Sequence, residues 1–129
     1  MTPIATPPQP RTRALTSSPT FLQGVFGFTG QGLDDPFLLD PVLTYTVPRD
    51  HEAQLVYFRG GNGSDAMAYV VVMRDGAPMR WFPIGAQSGT HVPLRVVEDL
   101  LAGTTLELFV GAPVGVGGEL VIDLGLVEV

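Results

Sequence analysis

The chain contains neither cysteine nor lysine in its 129 residues. The absence of cysteine excludes disulfides, thiolate zinc sites, iron–sulfur clusters and cysteine nucleophiles. Seven arginines stand against thirteen acidic residues, for a formal net charge of −6. Nucleic-acid binding draws most of its affinity from basic groups that neutralise phosphates. The charge balance therefore predicts that the chain does not bind nucleic acid.

Long apolar runs are also missing. No segment approaches the roughly 18 consecutive apolar residues of a membrane-spanning helix, and the N-terminal residues lack the apolar centre of a secretory signal peptide. We therefore expect no signal peptide and no insertion into a membrane. The expected location is the cytoplasm, or an assembly into which the protein is incorporated.

The residue sets that catalysis requires are incomplete. Histidine occurs only at His51 and His91, and no serine lies in a G-x-S-x-G motif. A mononuclear catalytic metal usually has three protein ligands, and the clustered His-x-His spacing of cupin metal sites is absent. The sequence therefore predicts a protein that is not an enzyme. A metal-dependent cupin-like enzyme is the catalytic alternative.

Proline is concentrated near the N-terminus, where residues 1–20 hold five of the twelve prolines. Proline fixes φ and removes a backbone donor, which predicts an extended arm rather than a helix or a central strand. The arm is either a disordered tail or a segment that becomes ordered on a neighbouring subunit. Ile4 and Leu15 would be its apolar contacts, and Arg11 and Arg13 would face the acidic body of the same or another copy.

Residues 21–129 have the pattern of one β domain. Clusters of Gly, Pro, Asp or Asn separate eight segments that are rich in β-branched and aromatic residues. The segments are 21–28, 42–47, 53–59, 66–74, 78–84, 90–96, 105–111 and 119–129. The pattern predicts an all-β fold, an antiparallel β-sandwich that is jelly-roll-like and has about eight strands.

Three stretches are less regular than the rest. Thr29 to Pro41 is predicted to be the longest connection, and residues 94–101 are either a turn of helix or the end of a strand. Residues 70–73 are apolar on both faces, whereas a small sandwich normally gives one face to water. They are therefore either part of a central strand or covered by a second subunit.

The strongest local signal is a hairpin with its turn at Asp75-Gly76. This dipeptide supplies the positive φ values that a type I′ turn requires. Pro78 and Pro83 cannot donate to a ladder, so we expect the second strand at a sheet edge. Arg74 and Arg80 would lie near each other and form a cationic patch that contacts the acidic surface of another copy.

The loop from Arg59 to Ala66 is rich in glycine and polar side chains. It lacks the Gly-Lys-Ser/Thr ending of a phosphate loop. Asn62 and Asp65, with His91 from another segment, are the candidate metal ligands. The side-chain oxygens of Asn62 and Asp65 suit calcium, but the spacing of a calcium-binding loop is absent. His91 would instead ligate a metal together with a distant carboxylate. We therefore predict no cofactor, and a structural calcium ion is the alternative to a plain flexible loop.

Five aromatic residues fall between positions 57 and 82, namely Tyr57, Phe58, Tyr69, Trp81 and Phe82. Alternation along a strand sends Tyr57 and Phe58 to opposite faces, and does the same for Trp81 and Phe82. One member of each pair is therefore expected in the core. Trp81 is the candidate surface anchor, and a core tryptophan is the alternative.

These features predict a non-catalytic structural or accessory subunit of a larger protein assembly. It would be a decoration, filament or complex-stabilising β-sandwich whose arm orders on a neighbouring subunit. Its partners would be copies of itself or other subunits, contacted through the arm, Arg74, Arg80 and Trp81. The alternative is a carbohydrate-binding or other small-ligand-binding β-sandwich module, because aromatic faces are common platforms for sugar rings.

Overall fold

The computed structural model describes residues 17–129, which form nine β-strands. The strands are β1 (Ser18–Thr29), β2 (Gly32–Leu38), β3 (Thr44–Thr46), β4 (Ala53–Asn62), β5 (Ala68–Arg74), β6 (Ala77–Ile84), β7 (Ser88–Pro93), β8 (Thr105–Ala112) and β9 (Gly117–Glu128). β1 begins at Ser18, inside the arm predicted over residues 1–20. The predicted contacts of the arm, Ile4, Arg11, Arg13 and Leu15, lie outside the described residues.

The strands pair in two antiparallel sheets. Sheet A has the order β1-β9-β4-β7, and sheet B has the order β2-β8-β5-β6 with β3 also paired to β8. Along the described residues the chain therefore changes sheet six times, after β1, β3, β4, β6, β7 and β8. The predicted all-β, jelly-roll-like antiparallel sandwich is confirmed, and residues 17–129 form nine strands in place of the expected eight.

The inward faces of the two sheets form the core. Inward side chains of β8 and β9 are at most 1% exposed at Leu106, Leu108, Val110, Leu120, Ile122, Leu124 and Leu126. Between the sheets, Phe58 of β4 stacks on Phe82 of β6 with ring centroids 4.3 Å apart and planes 7° from parallel. Burial of each phenylalanine side chain contributes about 1.5–3 kcal/mol. This stack is therefore a principal contact between sheet A and sheet B.

The prediction of a connection from Thr29 to Pro41 is wrong, because this stretch contains β2. β2 pairs with β8 at Gly32, Phe37 and Leu38, and the register shifts between Gly32 and Phe37. The irregularity falls on residues 33–36, which include Asp34, Asp35 and Pro36, so β2 lacks the apolar alternation by which a strand is recognised in a sequence.

Residues 94–101 form neither a helix nor a regular strand. The backbone N–H of Leu94 donates to the carbonyl of Val56, and Leu100 forms an isolated antiparallel bridge with Ala53. These bonds hold an irregular connection against β4. Across residues 17–129, the structure contains no helix of the length and apolar character that crossing a bilayer would take.

β5 and β6 form the predicted hairpin. Asp75 and Gly76, with φ of 51° and 85°, lie between the paired residues Arg74 and Ala77. Positive φ at both central positions is the geometry of a type I′ turn. β6 lies at the edge of sheet B, as its prolines predicted.

β5 is apolar on both faces because it is an inner strand of sheet B. Val71 points away from the core and is nevertheless 0% exposed. Its cross-strand neighbours on the outer face are Trp81 of β6 and Phe109 of β8. Large side chains of adjacent strands cover Val71 within the chain, so its burial requires no second subunit.

Tyr69 covers the same outer face by lying over Gly111 of β8. A Cβ added at Gly111 would fall inside the Tyr69 ring. The Tyr69 hydroxyl donates to the backbone carbonyl of Leu33 at 2.7 Å and so links β5 to β2. Burial, and then the nearby carboxylates of Asp34 and Asp35, raise the pKa of Tyr69. The hydroxyl therefore stays protonated and remains a donor.

Gly111→Ala should displace the Tyr69 ring and break its hydrogen bond to Leu33. Overpacking of this kind costs about 1–3 kcal/mol, and we expect the free energy of unfolding in a denaturant titration to fall by that amount. Gly27→Ala is the control, because a Cβ at Gly27 meets nothing within 4 Å. Equal stability of the Gly111→Ala variant and the wild type would contradict the packing of Tyr69.

Candidate functional site

The outer face of sheet A, here called the platform, is formed by the outward positions of all four strands. The strand register aligns these positions in three rows that cross β1, β9, β4 and β7. The rows are Phe21, Gly125, Tyr57 and Pro93; Gln23, Asp123, Arg59 and His91; and Val25, Val121, Gly61 and Gly89. The middle row is polar, and the rows on either side are apolar or lack side chains.

A groove with a cavity volume of about 630 Å³ opens in the platform. Its lining residues are Arg59, Gly60, Gly61, Gly89, Thr90, His91, Val121 and Asp123. Gly61 and Gly89 form the floor because they place no side chain above the backbone of β4 and β7. The volume lies within the range of about 300–1,000 Å³ that is typical of small-ligand sites.

Asp123 is the centre of the polar row. The Tyr57 hydroxyl donates to Asp123 Oδ1 at 2.9 Å, and Arg59 Nη1 lies 3.8 Å from Asp123 Oδ2. Burial, and then the bond to Asp123, raise the pKa of Tyr57, so its hydroxyl remains a donor. A separation of 3.8 Å is longer than a hydrogen bond. Asp123 Oδ2 and the Arg59 guanidinium therefore both keep hydrogen-bonding capacity toward the groove.

Apolar surface lies next to this polar row. Phe21, Val25 and Val121 are 49%, 60% and 50% exposed. The ring of Tyr57 meets His91 edge-on, with centroids 6.3 Å apart. A ligand that has hydroxyl groups on its rim and an apolar C–H face matches this combination of side chains.

Asn62, a candidate calcium ligand, joins the β4–β5 loop to the end of β6. It is 3% exposed, and its amide nitrogen donates to the backbone carbonyls of Ala66, Ile84 and Gly85. Its amide oxygen accepts from the N–H and the hydroxyl of Ser64. Both ends of the Asn62 carboxamide are therefore already hydrogen-bonded within the chain.

The structure does not bring the three candidate metal ligands together. His91 lies on the platform opposite Arg59, whereas Asn62 is buried toward the core. Asp65 is exposed and accepts a hydrogen bond from Gln87 Nε2 at 3.1 Å. In the part of the chain that the structure describes, no three His, Asp or Glu residues are grouped to hold a metal ion.

Arg74 and Arg80 lie near each other, as the hairpin predicted, but they share a carboxylate of their own chain. Arg74 Nη1 is 3.3 Å from Glu98 Oε2, and Arg80 Nη2 is 2.9 Å from Glu98 Oε1. Arg80 also donates to the backbone carbonyl of Val96 at 3.2 Å. A partner would have to compete with Glu98 for these two guanidinium groups, and their contact with another copy stays a prediction.

Trp81 lies on the outer face of sheet B and is 54% exposed. Its ring packs against Tyr69 with centroids 5.1 Å apart. Phe58 and Phe82 are buried instead, at 0% and 4% exposure, which confirms that each pair of neighbouring aromatic residues is divided between core and surface. The role of Trp81 as a partner contact stays a prediction.

Arg59 and Asp123 are the site residues that the sequence did not reveal. Asp123 lies between the inward positions Ile122 and Leu124, so its outward direction can be read from the alternation of β9. Its neighbours across the sheet, Gln23 and Arg59, depend on the register of β1 and β4 with β9, which no local pattern specifies. A charged side chain between two apolar inward positions of β9 was the available signal.

The chain matches no protein-family model and no curated protein sequence. Its structure is similar to the CBM36-1 domain of a multidomain xylanase from the hindgut metagenome of Trinervitermes trinervoides, with a TM-score of 0.50 and 21% identity over 85% of this chain and 96% of that chain. It also aligns with a structure of infectious bursal disease virus, Gt strain, with a TM-score of 0.47 and 10% identity over 99% of this chain and 37% of that chain. The alignment with the VP2 subviral particle of infectious bursal disease virus has a TM-score of 0.46 and 9% identity over 98% of this chain and 37% of that chain. The likeness to the CBM36-1 domain shows the β-sandwich fold alone.

Asn62→Ala should destabilise the domain with or without calcium. The change leaves buried partners of the carboxamide unpaired, at about 1–3 kcal/mol for each unsatisfied group. We expect the Tm in scanning calorimetry to fall, and we expect the wild-type Tm to be the same in calcium chloride and in EDTA.

Asp65→Ala is the matched control for this loop, because Asp65 is exposed and accepts one hydrogen bond from Gln87. Its Tm should stay close to that of the wild type. A wild-type Tm that rises with calcium, and no longer rises in the Asp65→Ala variant, would instead show that the loop binds the ion.

Proposed function

We propose that the chain is a non-catalytic binding module that holds a carbohydrate in the groove of the platform. One observation carries the proposal. The groove places the polar pair Arg59 and Asp123 beside a glycine floor and beside exposed apolar side chains of the same sheet face.

The chemistry of a sugar ring matches this arrangement. A hydroxyl group can accept from the Arg59 guanidinium and donate to the Asp123 carboxylate, and hydrogen bonds to charged groups are the stronger ones. Val121 in the groove, and Phe21 and Val25 farther along the platform, offer apolar contact to C–H faces. A groove on an open sheet also lets a polysaccharide chain continue beyond the residues in contact.

The fold is compatible with this function. The CBM36-1 domain, a carbohydrate-binding module of a xylanase, has a similar β-sandwich. Xylan is therefore the first polysaccharide to test, followed by β-glucan and galactomannan. The likeness supplies only the fold, and the groove of this chain supplies the argument for a ligand.

Arg59→Ala and Asp123→Asn should each weaken retention of the protein by these polysaccharides in affinity electrophoresis. A hydrogen bond to a charged group contributes about 1.5–3 kcal/mol, so the Kd from titration calorimetry should rise by about tenfold or more. Arg49→Ala is the matched control, because Arg49 is an exposed arginine in the connection between β3 and β4.

Filling the groove tests the same site without removing a charge. A Cβ at Gly61 meets Val121 in ordinary contact at 3.6 Å, so Gly61→Val should fold and should lose the ligand. Gly27→Val places the same side chain on the same face but outside the groove, and its binding should equal that of the wild type. A wild-type protein that none of the three polysaccharides retains would refute the proposal.

A second candidate function, a structural subunit of an assembly, is favoured by the outer face of sheet B. Trp81 is exposed there beside Tyr69 and next to the apolar layer of Val71 and Phe109. Tryptophan on an apolar surface is a frequent anchor of protein interfaces. In this role a neighbouring subunit, another copy or part of a larger complex, would cover Trp81.

Trp81→Ala should lower the mass of any assembly that forms through sheet B. Truncation of an anchor residue costs about 2 kcal/mol, so the association constant should fall about thirtyfold, as measured by light scattering over a concentration series. Val114→Ala is the control, because Val114 is 79% exposed in the turn between β8 and β9. Equal masses for the wild type and Trp81→Ala at every concentration would exclude this surface as the contact.

A further inference from the structure

β1 is an edge strand without the features that usually protect an edge. It runs over 12 residues, Ser18–Thr29, and β9 is the only described strand that pairs with it. Within residues 17–129, the backbone N–H and C=O groups on its other side therefore have no strand partner. Natural proteins block such edges with charged side chains, prolines or bulges. β1 contains no charged residue and one proline, Pro19, and its register with β9 is continuous.

We propose that β1 pairs antiparallel with β1 of a second copy, so that the two A sheets become one continuous eight-stranded sheet. Such a contact lies on a two-fold axis and requires a strand that is complementary to itself. β1 satisfies this requirement when Gln23 faces Gln23 of the partner subunit. Any other chain that added a strand here would form the same backbone bonds but would not gain the side-chain pairs of this register.

The side chains support the register centred on Gln23. In an antiparallel pair, residues directly opposite each other point to the same face of the sheet. Phe21 therefore meets Val25 of the partner subunit, and Val25 meets Phe21 of the partner subunit. Both residues are exposed in the single chain, at 49% and 60%. Each aromatic and β-branched pair of this kind is favourable, so the seam covers the exposed apolar side chains of β1.

Electrostatic repulsion does not oppose the pairing, although each copy carries a formal charge of −6. The acidic residues next to β1 in sheet A lie on β9, and Asp123 is opposite Gln23. With adjacent strands about 4.8 Å apart, the two Asp123 residues of a dimer would be about 14 Å from each other. This distance exceeds the Debye length of about 8 Å at physiological salt, so the solvent screens their repulsion.

The dimer would place both platforms on one side of the continuous sheet. The two β4 strands, whose residues line the grooves, would then be five strand spacings apart, or about 24 Å. One polysaccharide chain could occupy both grooves, and the first contact would raise the effective concentration for the second. Only this gain in avidity rests on the proposed carbohydrate binding, because the pairing of β1 does not require a ligand.

Charged residues placed at position 23, on the two-fold axis, test whether β1 forms the contact and whether its partner is β1 of a second copy. Gln23 is exposed, so Gln23→Lys and Gln23→Glu leave the core unchanged. In the full chain, each variant alone places like charges opposite each other and should be a monomer at concentrations where the reference protein with Gln23 has twice the 13.7 kDa mass of one chain. An equimolar mixture of the two variants places opposite charges at the axis and should recover the dimer in light scattering.

Gln31→Lys and Gln31→Glu are the matched controls, because Gln31 is exposed between β1 and β2. Both should remain dimers. All proteins in the series, including the reference, also carry Trp81→Ala, so that a contact through sheet B does not contribute. A reference protein that is monomeric at every concentration, a dimer that both Gln23 variants retain, or variants that do not recover the dimer on mixing would each overturn the proposal.

Discussion

Successive side chains of β4 and β9 point alternately into the core and out to the platform, so the packing of the core determines which side chains reach the surface site. Leu124 and Phe58 point inward and are fully buried, so Asp123, Tyr57 and Arg59 must point outward on the other face of the same strands. A slip of one residue would bring Asp123 into the core, at a large cost for an unpaired charge. Core packing therefore fixes the platform, and the groove needs no loop to hold its polar residues in place.

On the outer face of each sheet, a tyrosine ring packs over a glycine of the neighbouring strand. Tyr57 lies over Gly125 on sheet A, and Tyr69 lies over Gly111 on sheet B, because only glycine leaves room for a ring so close to the backbone. On sheet A the Tyr57 hydroxyl orients Asp123 beside an open groove. On sheet B the Tyr69 hydroxyl donates to the Leu33 carbonyl of β2, and the ring belongs to an apolar cluster with Val71, Met73 and Phe109. The same local motif thus supports a polar surface with a groove and an apolar surface.

Local chemistry made much of the fold predictable. The Asp75-Gly76 turn, the edge position of β6 and the separation of Tyr57 from Phe58 all follow from interactions within a few residues. β2 was missed because its register shift falls at Asp34, Asp35 and Pro36, where the apolar alternation of a strand is absent. The role of Asn62 was also missed, since two of its acceptors, the carbonyls of Ile84 and Gly85, are remote in sequence. The groove depends on register across three strands, which only the folded chain specifies.

The position of the single tryptophan gives the protein a built-in optical probe. Trp81 is half exposed on sheet B, and the whole thickness of the sandwich separates it from the platform. Indole emission moves to shorter wavelength when water is removed from the ring. A ligand in the groove would therefore leave the emission spectrum unchanged, whereas a protein that covers sheet B would shift it. Intrinsic fluorescence can thus assign a binding event to one side of the molecule without any label.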